Sequence, residues 1–370
     1  MKIRFRNSQK TTFYNTVRAD VEQYFSENKI SKQANAKMAF KIFLILSSFL
    51  ALYISIVFLD IRLDVKLFMA IIFGIVTAMI GLNICHDAIH GSLSKKPWVN
   101  KIFATIFNIV GANAYVWHIT HNIVHHTVTN IKGNDEDLDI APGLIRIDDT
   151  EEYKPIHKYQ HLYGFFLYGL ASLSWVFRKD FVKFFKKNIG DYDNTKHPKY
   201  EVYNLIFFKL VYVTLFIVIP LVVMDITGWQ FLTGFLLMHL AKGWTLALVF
   251  QPAHVVVDVS FPIPDAKGNI EEEWAIHQML TTANFATKSK FVTWFTGGLN
   301  MQVEHHLFPT ICHIHYPKIS EFVKSAAKKH NIPYQENETF YKALKAHYLL
   351  LKRFSVKEQA EKSLNFQEVA

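Results

Sequence analysis

The sequence predicts an all-α membrane protein: four transmembrane helices in two hairpins, with a helical cap on the cytosolic side. Three observations carry that expectation. Four stretches are long and apolar enough to cross a bilayer, Lys and Arg are scarce in the two short turns, and histidines gather just past the predicted span ends.

A span needs roughly 20 apolar residues at helical rise. The pattern places spans near 39 to 59, 66 to 84, 204 to 224 and 229 to 250. A turn with Asp60, Arg62 and Asp64 joins the first pair, and Asp225, Ile226, Thr227 and Gly228 join the second. Each pair reads as a hairpin. Residues 1 to 38 form an arm carrying Lys2, Arg4, Arg6, Lys10 and Arg18, without the early apolar core and cleavage site of a secretory signal. Lys and Arg also crowd the 85 to 203 segment and the region from 251 to 370. The positive-inside rule therefore places both termini, the central segment and the histidines in the cytosol, with the bacterial plasma membrane as the expected location. On this reading 1 to 370 is a single integral membrane domain. The formal charge of +9 is mostly a topology signal, and no nucleic-acid partner is expected, because the basic residues flank spans and form no aromatic-interleaved patch.

Shorter apolar runs near 98 to 117 and 162 to 177 predict interfacial or partly re-entrant helices. Lys242 and His239 fall inside the fourth span, and Lys242 is expected to snorkel toward its cytosolic end. Cys85 and Cys312 cannot build a disulfide framework or a zinc-type cysteine pair, which favours a reducing compartment, and Cys85 reads as a packing thiol.

Metal chemistry must then rest on histidine, of which the chain has 18. His86 and His90 follow the second span at a spacing of four, so both rings share one face of a helix and can reach one metal. His121 and His125 repeat that spacing, and the adjacent His126 points about a hundred degrees away, toward a second metal. Gln302, His305 and His306 lie beyond the fourth span, and hairpin topology returns them to the same membrane face. Seven imidazoles exceed the four ligands of a structural zinc site and suffice for two metals with open positions. Imidazole suits iron, zinc and copper alike, so spacing does not fix the element.

These motifs resemble the membrane fatty acid desaturases, whose three histidine boxes bind two irons. The resemblance covers nearly the whole chain. It is closest to front-end and bacterial linoleoyl-CoA type desaturases, through Trp117 before the second box, Thr129-Asn130 after it, and the string Gly297-Gly298-Leu299-Asn300-Met301-Gln302-Val303-Glu304-His305-His306-Leu307-Phe308-Pro309. It implies that His86, His90, His121, His125, His126, His305 and His306 ligate iron, with Gln302 where other members have a histidine. His254 stands where the family supplies one more ligand, although Phe250 replaces a frequent asparagine four residues earlier, a place Gln251 could fill. Asp87, Asp135, Glu136, Asp137, Asp139 and Glu304 are candidate acceptors for the outer imidazole N–H groups, which would fix ring orientation. The alternative for 135 to 139 is a solvated acidic loop. His118 and His161 match no ligand position, and His313 and His315, two apart, would face opposite sides of a strand.

The implied reaction is oxygen-dependent insertion of a cis double bond into a fatty acyl chain, carried by CoA or by a lipid, at a carboxyl-proximal position. Because an unactivated methylene pair offers no acidic proton, side-chain acid-base chemistry cannot remove its hydrogens; two irons and O2 can. An apolar tunnel would select the carbon attacked by its depth. The chain shows no flavin, nicotinamide or iron-sulfur motif, and His197-Pro198-Lys199-Tyr200 departs from the His-Pro-Gly-Gly haem motif of fused cytochrome b5. Electrons are therefore expected from an external ferredoxin, flavodoxin or separate cytochrome b5. Two other functions fit less well: a membrane hydroxylase or carotenoid ketolase, which would share the ligand spacing, and a metal transporter, which would carry its histidines within the spans.

Overall fold

The computed structural model describes residues 2–138, 141–148 and 151–357, so that Asp139 and residues 358–370 of the last predicted segment lie outside the described residues. The fold is mostly helical, with three two-residue strand pairs that the all-α expectation did not include. Helix α1 (Phe13–Glu27) buries Phe13, Val17, Val21 and Phe25, a period-four stripe that a helix presents on one side. Among the described residues four helices are long and apolar enough to cross a membrane: α2 (Ala36–Phe58), α3 (Leu63–Ile89), α8 (Lys199–Val223) and α9 (Gly228–His254). They match the four predicted stretches with longer ends, because α3 and α9 run on without a break into the first histidine cluster and to His254. The most apolar windows of α3 and α9 are 61% and 39% buried, against 17% for α2 and α8, so α3 and α9 form the inner pair.

Two glycines allow the inner helices to pack closely. A Cβ at Gly74 would lie 2.2 Å from the Met238 carbonyl oxygen, and one at Gly243 would lie 2.2 Å from that of Gly169. Only a residue without a side chain fits either crossing.

Between the second and third of these helices lie α4 (Pro97–Ile109) and α5 (Ala114–Val128), an apolar pair bent by 110°. It covers the run near 98 to 117 expected to be interfacial or partly re-entrant and extends beyond it through the second histidine cluster, with the bend of a broken span or a re-entrant loop. Backbone carbonyls freed at such a break need donors, since surrounding lipid has none. Lys242 Nζ donates to the Val110 carbonyl at 2.7 Å, and Lys209 Nζ donates to the Gly111 carbonyl at 2.7 Å and pairs with Asp180 at 2.7 Å. Lys242 is 8% exposed, so the expectation that it snorkels out is wrong: an internal carbonyl, not water, receives its charge. Helix α6 (Gln160–Ser174) continues through a π turn into α7 (Asp180–Phe185), which supplies Asp180.

Beyond α9 come α10 (Trp274–Thr281), α11 (Lys290–Thr296), α12 (Gln302–Leu307), α13 (Tyr316–Lys329) and α14 (Phe340–Arg353). The amino-terminal arm is built into this region. Arg4 and Phe5 pair in parallel with Asn269 and Ile270, and the buried stripe of α1 joins Ile319, Val323 and Ala326 of α13 in one core.

Candidate metal centre

Three backbone devices aim the histidines. Helix α3 passes through a π turn at Gly81–Cys85 before presenting His86 and His90. The second cluster lies within a π segment, His118–His125, of α5. Such wide turns are frequent at functional sites. The third cluster is the short helix α12, and His254 closes α9.

These elements bring the predicted residues together. His86, His90, His121 and His305 offer ligand atoms all within 4.8 Å of one another, and His125, His254 and His306 do the same in a second group. One expectation therefore fails: His121 and His125 do not share a group. His126 stands between the groups, its ring centroid 4.8 Å from His90, 4.6 Å from His305 and 4.3 Å from His306. The Gln302 amide nitrogen lies 2.9 Å from His254 Nε2 and 3.4 Å from His306 Nε2.

The outer ring nitrogens are tied to the protein. His121 Nδ1 donates to Asp137 at 3.0 Å, His125 Nδ1 to Asp135 at 2.8 Å and His306 Nδ1 to the Gln278 side-chain carbonyl at 2.8 Å, while His305 Nδ1 lies 3.1 Å from the Tyr316 hydroxyl. Such outer partners set the tautomer and leave Nε2 as the inward lone pair. Burial holds His90, His305 and His306 well below the ordinary imidazole range, and the neighbouring imidazoles push the same way. Both effects favour the neutral ring, the form that binds metal.

A donor set of this kind fits metal. The Nε2 atoms of His86, His90 and His305 are buried with no hydrogen-bond partner among the described residues. Buried polar atoms without partners are costly and rare, and bound metal would satisfy these together. Cys85 faces elsewhere, its thiol 3.5 Å from the Phe103 carbonyl.

Three acidic residues do other work than expected. Glu304 touches no imidazole: it accepts from Asn284 at 2.7 Å and Tyr334 at 2.8 Å, and burial pushes its carboxyl up to about 7. Asp87 accepts from His313 Nδ1 at 2.8 Å and lies 4.0 Å from His86 Nδ1, so it secures the stretch after the third cluster more than the first. Its partner His313 is on a 3-10 turn, not a strand, with Lys41 Nζ 3.1 Å from its other nitrogen. Glu136 pairs with Lys183 and Lys186. Gln278 and Tyr316 were not foreseen; each is a single buried polar side chain in a stretch without a repeated motif.

A cavity of about 840 Å³ opens beside the centre, lined by Trp117, His121, His125, Lys179, Phe250 and His254. It shares Trp117, Trp175, Leu246 and Phe250 with a cavity of about 270 Å³ that reaches His86. That one in turn shares Gly81, Phe107, Trp175 and Leu246 with a third, of about 320 Å³, which reaches Lys242.

Four apolar helices and a buried imidazole centre define a membrane protein whose core could hold metal. The family model described as fatty acid desaturase matches residues 65–338. The chain is 36% identical over 358 residues to an acyl-lipid (8-3)-desaturase of Physcomitrium patens, covering 96% of this chain and 74% of that one. It is 33% identical over 341 residues to an sn-1 linoleoyl-lipid 6-desaturase of Arthrospira platensis, covering 92% of each. A protein of the same description from Synechocystis is 31% identical over 349 residues, covering 93% of this chain and 96% of the relative. The chain belongs to the fatty acid desaturase family. It is an oxidoreductase of lipid metabolism that desaturates fatty acyl chains, and the hydroxylase, ketolase and transporter readings find no support among these relatives.

Proposed function

We propose that this desaturase holds two irons, one by His86, His90, His121 and His305 and one by His125, His254 and His306, with His126 between them. Gln302 faces the second iron. Exchanging its amide O and N, which differ little in shape, would direct Oε1 at the gap between His254 and His306. The observation that carries the reading is the direction of the rings, with outer nitrogens on Asp135, Asp137, Gln278 and Tyr316 and inner nitrogens converging. When bound, iron supplies what side chains lack, dioxygen reduction coupled to removal of two hydrogens from an unactivated methylene pair.

The chain's own residues supply position. The acyl chain runs along the three linked cavities, past Trp117 and Phe250, and its depth fixes which carbons lie against the imidazoles. Lys179, 3.6 Å from Asp137 and over the Trp175 ring at 5.1 Å, stands in the largest cavity, where it would meet a phosphate or carboxyl head. The relatives named as acting on acyl-lipid and sn-1 linoleoyl-lipid support a lipid-borne chain over acyl-CoA, and a cis double bond near the carboxyl end. Electrons come from an external acidic carrier, a ferredoxin, flavodoxin or separate cytochrome b5, drawn to a basic cytosolic face. The whole chain acts as one domain of two hairpins, its termini and histidines cytosolic under the positive-inside rule.

The test is expression in a desaturase-poor host fed defined fatty acids, with mass spectrometry of lipid and CoA fractions to locate the new double bond. His125→Ala and His305→Ala should each abolish product and lower iron content while the protein still inserts in the membrane. Product retained by both variants refutes the ligand assignment.

A further inference from the structure

At the end of the spans away from the histidines lies another cavity, of about 590 Å³, lined by α2, α3, α8 and α9. Helix α3 fixes the distance: Lys66 is in its first turn and His86 near its last, roughly 30 Å apart at helical rise. None of its lining residues lines the three cavities at the metal centre. Its wall is apolar, built from residues such as Val57, Ala70, Phe73, Phe216 and Met238. An apolar recess with a few polar groups at its edge is of the kind that takes one small ligand.

One cationic side chain, Lys66, is among its lining residues, together with Tyr53, whose hydroxyl donates to the Leu215 carbonyl at 2.7 Å. Arg62, at the start of α3, is held by Asp64 at 2.9 Å, but Lys66, half-buried in the cavity wall, has no hydrogen-bond or ion-pair partner for its ammonium among the described residues. Gln230 lines the same cavity, and its Oε1 already accepts the Thr227 N–H at 2.8 Å, which leaves the amide NH2 to donate. A lone cation and a spare donor beside an apolar chamber complement an anion that carries an apolar tail.

We propose that this cavity binds one anionic phospholipid, with an acyl chain among the four spans and its phosphate at Lys66. The phospholipid is favoured over free fatty acid because the lining helices are the four long and apolar enough to cross a membrane, where phospholipid is the prevailing anion, and because the site is separate from the cavities at the histidines. It rests on membrane insertion alone, so its success or failure is independent of the ligand assignment.

The experiment uses the full chain in nanodiscs of equal phosphatidylglycerol and phosphatidylcholine, followed by extraction in mild detergent and native mass spectrometry of retained lipid. The unsubstituted protein should retain one phosphatidylglycerol in preference to phosphatidylcholine. Lys66→Gln should cut that preference about five-fold, the effect of one basic side chain near an anionic headgroup. Gly234→Leu should lose lipid of both kinds, since a Cβ there meets only Leu67 Cδ2 at 3.5 Å and the larger side chain grows into the cavity. An unchanged preference in Lys66→Gln overturns the proposal even if Gly234→Leu does not fold. So does a retained species that is free fatty acid or only neutral lipid.

Discussion

The first two histidine clusters have the same i, i+4 spacing and different fates. His86 and His90 stay together in one group, whereas His121 and His125 are divided between two. The backbone separates the cases: the first pair spans an α turn, with the His90 N–H on the His86 carbonyl at 3.1 Å, while the second sits within a π segment. Their supports differ as well. His121 and His125 each have a private carboxylate, Asp137 and Asp135, but Asp87 is taken by His313. Spacing tells which rings share a helix face; the metal they share depends on what the rest of the fold brings opposite.

The largest effect tests the division directly. His86→Ala with His121→Ala removes two ligands from one group and should leave about half the iron, whereas His121→Ala with His125→Ala removes one from each and should leave almost none. Neither double variant should form product. Equal iron in the two, measured by elemental analysis, would show that the grouping is wrong.

Next in size are the private carboxylates. Asp135→Asn and Asp137→Asn should each lower iron affinity or turnover by about 10–100-fold, the usual cost of losing an outer partner of a ligating histidine. Chelator competition measures the first and product formation the second. Asp87→Asn should change affinity less than either, because its lost contact is with His313.

A smaller effect should follow acidification on the second cluster's side. His277 holds the Thr129 carbonyl just past that cluster at 2.8 Å, and burial lowers its imidazole to about 4. Its folded value lies below the ordinary one of about 6.5, so the unfolded chain binds the extra proton. The stabilisation is complete above that ordinary value and declines as pH falls from there toward about 4. The thermal midpoint should drop by a few degrees over that window, and His277→Gln should flatten the slope. A slope unchanged in the variant would assign the acid sensitivity elsewhere.

The smallest expected change is in His313→Gln, where the amide can still donate to Asp87. Iron content should stay near that of the unsubstituted chain, with a modest loss of thermal stability. A loss of iron matching that of Asp135→Asn would erase the distinction between the two clusters.

The four spans were legible because lipid demands long apolar runs, and the spacing of His86 and His90 already implied a helix running on past the second span, as α3 does. The ligand candidates were legible for a similar reason: a histidine pair repeated at several places stands out from sequence. Their allotment to groups was not, since it depends on π turns that spacing does not encode. Gln278 and Tyr316 were invisible because one buried polar residue has no periodic signature. Glu304 was misread because adjacency to His305 along the chain does not aim its side chain, which turns to Asn284 and Tyr334 instead. An interfacial or partly re-entrant run near 98 to 117 was anticipated, but not its bend into α4 and α5 nor the use of Lys242 and Lys209 to close it, for a lysine in a span signals expense and does not say where the charge is met.

That closure also dictates an order of assembly. The carbonyls of Val110 and Gly111 wait for lysines 132 and 98 residues further along the chain. A nascent polypeptide halted before residue 199 would carry the second histidine cluster with Asp135 and Asp137 but without the lysines that close the bend before it. On the proposed ligand assignment such a fragment also lacks His254, His305 and His306, and ribosome-released fragments of this length should hold little iron.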